Sequence, residues 1–129
     1  MGRAQEGGCL CGAVRYRVTG PMRDVIYCHC SQCRRASGHH VAATAAAPED
    51  LDIKGQVQWY RSSEEAQRGF CPTCGSNLFW KPDHGGHVSI MAGTLDGPTG
   101  LRVESNWHGE DRGDYYDLPP VGSTSVSRQ

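Results

Sequence analysis

Seven cysteines in three short groups are the residues best suited to chemistry in this 129-residue chain. The groups are Cys9-x-Cys11, Cys28-x-Cys30-x-x-Cys33 and Cys71-x-x-Cys74. An odd number of cysteines would leave one thiol over in a pure disulfide framework. In a reducing compartment, clustered thiols are more often metal ligands than disulfides. The spacing therefore predicts metal binding.

The first and last groups together predict a closed site with four sulfur ligands. On an extended strand, side chains two residues apart project from the same face, so Cys9 and Cys11 can bind one ion. In "CPTCG", a tight turn brings Cys71 and Cys74 together. Two pairs of thiolates make a tetrahedral zinc site with Zn–S distances of ~2.3 Å. Spacing alone also allows Cys9 and Cys11 to join the middle group instead.

The middle group has three sulfurs and no obvious fourth ligand. Cys28 and Cys30 share one face of a strand, and the turn that follows returns Cys33 to the same ion. His29 lies between two of these cysteines in "CHCSQC", so its side chain points to the opposite face. On geometry alone His29 is a poor fourth ligand.

The fourth ligand of this middle site would distinguish an enzyme from a scaffold. Structural zinc sites use four protein ligands, whereas catalytic sites keep a position for water or substrate. Three sulfurs predict an open site, and the alternative is that His39 or His40 closes it. Arg34 and Arg35 follow the last cysteine, where they would offset the negative charge of three thiolates or hold a carboxylate. The competing interpretation is an arginine pair in solvent.

Short strands are the elements that must position these groups. Runs with rough alternation of apolar and polar residues predict strands over 13–19, 24–27, 41–46, 52–60, 77–81, 87–92 and 101–105. Helix is predicted only as single turns after Cys33 and over 48–51. The fold class is therefore mainly β. One domain is predicted over 1–118, followed by a disordered tail over 119–129 that is rich in Pro, Ser and Thr.

Composition excludes several broad classes of partner. A net charge of −1 and a pI near 6.6 give no global electrostatic case for nucleic acid or a membrane surface. No window is apolar and long enough for a membrane-spanning helix, and the N-terminal residues lack the apolar core of a signal peptide. We therefore expect a cytoplasmic protein. Large apolar residues are few, so we expect Trp59, Phe70, Phe79 and Trp80 to form the core.

Five motifs in order carry a resemblance to a known family. They are "GGCLCGAVRY", "CHCSQCRRASG", "FCPTCGSNLF", "IMAGTLDGP" and "NWHG", and they span about residues 8–107. With them the chain resembles the glutathione-dependent formaldehyde-activating enzymes, a family that includes the centromere protein V-like proteins. The resemblance implies an Mss4-like, β-tent fold stapled by two zinc ions. It implies a structural zinc at one set of cysteines and a second, catalytic zinc at the other: Cys9, Cys11, Cys71 and Cys74 for the first, Cys28, Cys30 and Cys33 for the second.

The activity that the resemblance implies is that of a carbon–sulfur lyase similar to S-hydroxymethylglutathione synthase. Such an enzyme adds a thiol such as glutathione reversibly to formaldehyde or a related small aldehyde. Arg34 and Arg35 are then candidates to hold a substrate carboxylate, and His29, His39 and His40 are candidates for proton transfer. The alternative hypothesis is a non-catalytic zinc module that binds a thiol ligand or a protein partner.

Overall fold

The structure is a computed structural model that describes residues 4–122 of the chain. Over these residues it contains ten strands, one α-helix and three single turns of 3-10 helix. The strands are β1 (Gln5–Gly8), β2 (Arg15–Val18), β3 (Val25–Cys28), β4 (Val41–Ala46), β5 (Leu51–Lys54), β6 (Gln58–Arg61), β7 (Ala66–Phe70), β8 (Asn77–Pro82), β9 (Val88–Met91) and β10 (Val103–Trp107). The helix, α1, covers Ser31–Ser37.

The strands form two sheets. A three-stranded sheet has the order β1-β2-β5, and a seven-stranded sheet has the order β10-β3-β4-β9-β8-β7-β6. Neighbouring strands are antiparallel in every pair but one, since β10 runs parallel to β3. The prediction of a mainly β fold built from short antiparallel strands is confirmed.

The core lies where the small sheet packs on the large one. In β2 the residues Tyr16 and Val18 are buried and alternate with exposed arginines, as expected for a strand with one face on a core. The ring of Tyr16 meets the ring of Phe79 edge-on, with centroids 5.4 Å apart. Leu78 and Ile90 from the large sheet are fully buried beside it. Aromatic contact and apolar burial therefore join the two sheets.

The predicted strands agree with the structure where the apolar alternation is uninterrupted. Residues 41–46 form β4 as predicted, but 52–60 divide into β5 and β6. Gly55 lies between these two strands with φ +97°, a left-handed conformation that an extended strand does not use. β1 and β7 were not predicted, because their sequences "QEGG" and "AQRGF" carry glycine and charge in place of alternating apolar residues.

The four aromatic residues expected in the core differ in their burial. Phe79 is completely buried, while Phe70 and Trp59 are half-buried. Trp59 stacks on Phe79 with ring centroids 6.1 Å apart, so it covers the core from one edge. Trp80 is also half-buried, and it lines a cleft. One of the four is thus a cleft residue as well as a packing residue.

The helix begins earlier than the sequence predicted. Cys30 precedes it in an extended conformation, and its Sγ accepts a hydrogen bond from the Cys33 backbone N–H at 3.3 Å. The Cys30 sulfur thus caps the helix N-terminus, a role that a Ser or Asp side-chain oxygen usually has. The helix ends at Gly38, which has φ +87° and donates its N–H to the Arg34 carbonyl. The turn predicted over 48–51 is a 3-10 turn, Pro48–Asp50.

Part of the predicted tail is in contact with the large sheet. Asn106 Nδ2 donates to the Pro119 carbonyl at 2.9 Å, and the Gly122 N–H donates to the Val103 carbonyl at 3.0 Å. Residues 123–129 of that tail lie outside the described residues. A domain boundary at 118 stays a prediction. In residues 4–122 the structure has no helix long and apolar enough to cross a membrane.

Replacement of Gly55 tests the turn that separates β5 from β6. A Cβ at Gly55 would collide with the Ala13 carbonyl oxygen, in addition to the strain of the positive φ. Gly100 has a similar φ of +73° but open space around it. We expect Gly55→Ala to lower the free energy of unfolding by about 2 kcal/mol or more, and Gly100→Ala by about 1 kcal/mol. Urea unfolding measures both, and equal losses would show that the contact with Ala13 does not limit this turn.

Candidate metal centres

Four of the seven sulfurs meet between the two sheets. The Sγ atoms of Cys9, Cys11, Cys71 and Cys74 all lie within 4.8 Å of one another. Cys11 Sγ is 3.7 Å from Cys9 Sγ and 3.8 Å from Cys71 Sγ. A tetrahedron with Zn–S bonds of ~2.3 Å has sulfur–sulfur edges of about 3.8 Å. The donor set and its spacing therefore fit a tetrahedral zinc ion.

Backbone N–H groups explain why these loops present their sulfurs. Cys9 Sγ accepts from the Val14 N–H at 3.2 Å, and Cys71 Sγ accepts from the Thr73 and Cys74 N–H groups at 3.4 and 3.5 Å. Such N–H groups stabilise thiolate over thiol. Hydrogen bonds from the side chain and backbone of Ser76 lower the pKa of Cys74 to about 5. These N–H and hydroxyl groups favour thiolate at Cys74, while the neighbouring cysteines help to raise the pKa of Cys11 to about 11.

The remaining three sulfurs form a separate group where β3 ends and α1 begins. Cys28 is the last residue of β3, Cys30 caps α1 and Cys33 lies in its first turn, and their Sγ atoms lie within 4.8 Å of one another. A hydrogen bond from the Cys33 thiol lowers the pKa of Cys28 to about 5, and the same interaction raises the pKa of Cys33. The group therefore holds one negative charge readily and shares it across the hydrogen bond between Cys28 and Cys33.

His29 faces away from these sulfurs and is fully buried. Its Nε2 lies 2.8 Å from Asn106 Oδ1, and its Nδ1 lies 2.7 Å from the Tyr116 hydroxyl. Since Asn106 uses its Nδ2 to donate to Pro119, its Oδ1 accepts from His29 Nε2–H, and Nδ1 shares a hydrogen bond with the Tyr116 hydroxyl. Both nitrogens are occupied, so His29 ties β3 to the C-terminal segment.

The structure does not bring His39 or His40 to the three sulfurs. Within residues 4–122, no histidine nitrogen lies within 4.8 Å of all three Sγ atoms. His39 Nδ1 is hydrogen-bonded to the Tyr115 hydroxyl at 2.7 Å. The ring of His40 lies against His29 and Tyr27, with centroids 4.7 and 4.6 Å apart. These histidines form a cluster of tilted rings on the side of His29, away from the three sulfurs.

The three sulfurs open onto a cleft of about 380 Å³. This volume is within the range of pockets that hold small molecules. Apolar side chains from five strands supply much of the wall, and several charged or polar side chains, Arg68 and His108 among them, face the same space. The lining includes Cys28, Cys30, Cys33, Arg68, Trp80, Met91, Trp107 and His108. Trp107 and His108 belong to the "NWHG" motif, to which sequence reasoning gave no role.

The arginine that reaches this cleft is not one that the sequence indicated. Arg34 donates from Nε to the Asp111 carbonyl at 3.1 Å and Arg35 is exposed, and neither lines the cleft. Arg68 on β7 lines it instead, with Nη2 3.8 Å from Cys33 Sγ. The available signal was "RGFCPTCG", an arginine just ahead of a metal-binding pair.

Comparisons with known proteins agree with this geometry. The chain is 28% identical over 115 residues to a Schizosaccharomyces pombe protein described as an uncharacterised lyase, covering 88% of this chain and 84% of that protein. It is 31% identical over 84 residues to a Halomonas elongata protein named provisionally as a glutathione-dependent formaldehyde-activating enzyme, covering 57% of this chain and 54% of that protein.

A solved structure shows a similar fold. The crystal structure of a Rhodobacter sphaeroides protein aligns with a TM-score of 0.61 at 28% identity, covering 79% of this chain and 98% of that one. The sequence pattern of a family described as "Glutathione-dependent formaldehyde-activating enzyme" matches residues 4–110, which include all seven cysteines and both centres. The chain belongs to the glutathione-dependent formaldehyde-activating enzyme family.

Proposed function

We propose that both sulfur groups bind zinc and that they differ in purpose. Cys9, Cys11, Cys71 and Cys74 supply a complete tetrahedral ligand set, which is typical of a structural site. Cys28, Cys30 and Cys33 supply three ligands beside a cleft and leave one position for an exchangeable ligand. A bound zinc ion would lower the pKa of a thiol in that position and so provide a thiolate at neutral pH.

The function that this arrangement best supports is carbon–sulfur lyase chemistry. A thiol such as glutathione adds reversibly to formaldehyde or a related small aldehyde: the thiol releases its proton, the sulfur–carbon bond forms, the carbonyl π electrons move to oxygen, and the alkoxide takes up a proton, so that no net proton is gained or lost. The single observation that carries this proposal is the three-sulfur group, which has no fourth protein ligand among residues 4–122 and is open to a cleft of small-molecule size. The cytoplasmic location expected from the sequence stays a prediction.

The cleft residues have distinct tasks in this reaction. Trp80, Met91 and Trp107 form walls that exclude water from the reacting sulfur and carbon. His108 faces the same space and is a better-placed imidazole for the substrate oxygen than His29, whose nitrogens are both occupied. A thiol and an aldehyde are therefore the proposed partners of the cleft.

Metal content distinguishes the two centres. We expect about two zinc ions per purified chain, and about one in Cys28→Ser, which should remain folded because the four-sulfur centre is intact. Cys9→Ser should lower the free energy of unfolding by about 3 kcal/mol or more, since it breaks the closed centre. Elemental analysis and urea unfolding provide the two measurements. Equal losses of zinc and stability in both variants would contradict the division into a structural and an open site.

Exchange NMR tests the reaction itself. With glutathione and formaldehyde at equilibrium, we expect the chain to accelerate adduct exchange at least about tenfold over the protein-free mixture, which reacts readily unaided. Cys28→Ser should abolish the acceleration, because it removes a ligand of the open centre. His84→Gln, an exposed substitution outside the cleft, is the matched control and should behave as the unmodified chain.

Equal exchange rates in all samples would rule out catalysis by this chain. The alternative is a zinc module that binds a thiol without transforming it. This alternative predicts equal exchange rates in all samples, with the unmodified chain still containing about two zinc ions. X-ray absorption then reports whether added thiol enters the coordination sphere of the three-sulfur centre. Thiol entry without acceleration would support the binding module.

A further inference from the structure

Arg68 is a buried cation with no carboxylate beside it. The residue is 9% exposed, and none of the ion pairs among residues 4–122 includes it. Buried arginines nearly always have an anionic partner, because an uncompensated charge in the interior is costly. Glu65 lines the same cleft but is exposed and lies beyond ion-pair distance. The compensating negative charge must come from another group.

The sulfurs of the open centre are that group. Arg68 Nη2 donates to Cys33 Sγ at 3.8 Å and to the Gln32 side-chain oxygen at 3.4 Å. Three thiolates around a divalent ion leave one net negative charge, and one guanidinium brings the sum to zero. A fourth ligand that is itself a thiolate returns the sum to a single negative charge. Without Arg68 the same step would leave two negative charges in a partly buried site.

The four-sulfur centre has a complete ligand set and needs no further ligand. It therefore shows which groups surround the charged sulfurs when no additional anion has to bind. There Cys11 is exposed and Cys74 half-buried, so water can screen the charge. Among the described residues, the hydrogen bonds that its sulfurs accept come from backbone N–H groups and from Ser76. No arginine contacts those sulfurs in the described part of the chain. A buried guanidinium is therefore a feature of the open centre alone.

Arg68 also keeps hydrogen-bonding capacity toward the cleft. Both of its hydrogen bonds within residues 4–122 come from Nη2, so Nε and Nη1 have no acceptor there. A guanidinium presents five N–H donors in a fixed plane. The unused donors belong to a side chain that lines the cleft beside the open position. An anionic ligand at that position would lie near both the positive charge of Arg68 and its unused N–H donors.

We propose that Arg68 is the counter-cation that allows the three-sulfur centre to accept a fourth, anionic sulfur ligand, so that the cleft selects small thiolates over neutral ligands. The inference rests on the metal assignment of the proposed function, but it is independent of aldehyde addition. Because Arg68 contacts Cys33 Sγ itself, its charge lies beside the metal ligands rather than near the exposed rim of the cleft. The group it recognises is therefore the ligand's sulfur and not a remote carboxylate.

Ligand titrations of the cobalt-loaded protein test this directly. Cobalt in place of zinc gives sulfur-to-metal absorption bands that change when a ligand enters the open centre, while the closed centre contributes a constant background. The titrants are 2-mercaptoethanol, 3-mercaptopropionate and imidazole, which are a thiol without a carboxylate, a thiol with one, and a neutral ligand. Each is titrated at constant ionic strength into the unmodified chain, Arg68→Met, Arg68→Gln and Arg68→Lys. Arg17→Met, an exposed arginine in the small sheet, controls for net charge.

We expect Arg68→Met and Arg68→Gln to weaken both thiols at least about tenfold while imidazole affinity stays within about twofold. Arg68→Lys should keep most of the preference for thiols, and Arg17→Met should match the unmodified chain. The ratio of thiol to imidazole affinity is measured on one preparation, so a loss of active protein does not affect it. An unchanged ratio in the neutral variants would overturn the inference. Weakening of 3-mercaptopropionate alone would also overturn it, because Arg68 would then bind the carboxylate.

The lysine variant decides the question if neither neutral variant retains cobalt. A thiol-to-imidazole ratio near that of the unmodified chain would support the counter-cation, and loss of the ratio with cobalt retained would overturn it. Because no aldehyde is present, failure of the proposed reaction has a different signature. A chain that binds thiols through Arg68 but does not accelerate adduct exchange would refute the lyase proposal and leave this inference intact.

Discussion

The meeting of two cysteine turns from distant parts of the chain is the contact on which this fold depends. Cys11 and Cys71 are 60 residues apart in sequence, yet their sulfurs are 3.8 Å apart. The Leu10 N–H donates to the Ser76 hydroxyl beside them. These contacts fasten the turn after β1 to the turn before β8, and so hold the small sheet on the large one. Strands of four to six residues bury too little apolar surface to make such a junction secure by themselves.

The position of the open centre is fixed by β3 and by β10, the strand parallel to it. In "CHC" the alternation of a strand sends two sulfurs toward the cleft and His29 toward Tyr116 and Asn106. Trp107 pairs with Cys28 in the register of β10 on β3, and the His29 N–H donates to the Trp107 carbonyl. Consequently the buried histidine fixes the segment that carries a wall of the cleft. Its role is to position the site, which explains why it lies between two candidate ligands without being one.

Local patterns predicted the sulfur pairs and the uninterrupted strands, because both are set by residues two or three apart. The almost continuous apolar run "VAATAA" gave β4, and the spacing of Cys71 and Cys74 gave their turn. Division of 52–60 into two strands escaped prediction, since one glycine with positive φ interrupts an otherwise regular alternation. The position of Arg68 in the cleft was not predicted for a different reason. This residue lies on a strand without an apolar pattern and contacts Cys33, 35 residues away in sequence, so no local rule connects the two.

The two centres use the same ligand atom, so the difference between them must come from what surrounds the sulfurs. In the closed centre two of the four sulfurs, those of Cys11 and Cys74, reach solvent, while backbone N–H groups contact the sulfurs of the buried Cys9 and Cys71. The open centre lies against α1 and β7. There Cys33 is buried, and its sulfur contacts the Arg68 guanidinium rather than water. In a low-dielectric site, each added negative charge interacts more strongly with its neighbours than it would in solvent. A cleft that admits an anionic ligand beside three thiolates, as we propose for this chain, needs a fixed cation, and Arg68 on β7 lies within hydrogen-bonding distance of Cys33 Sγ.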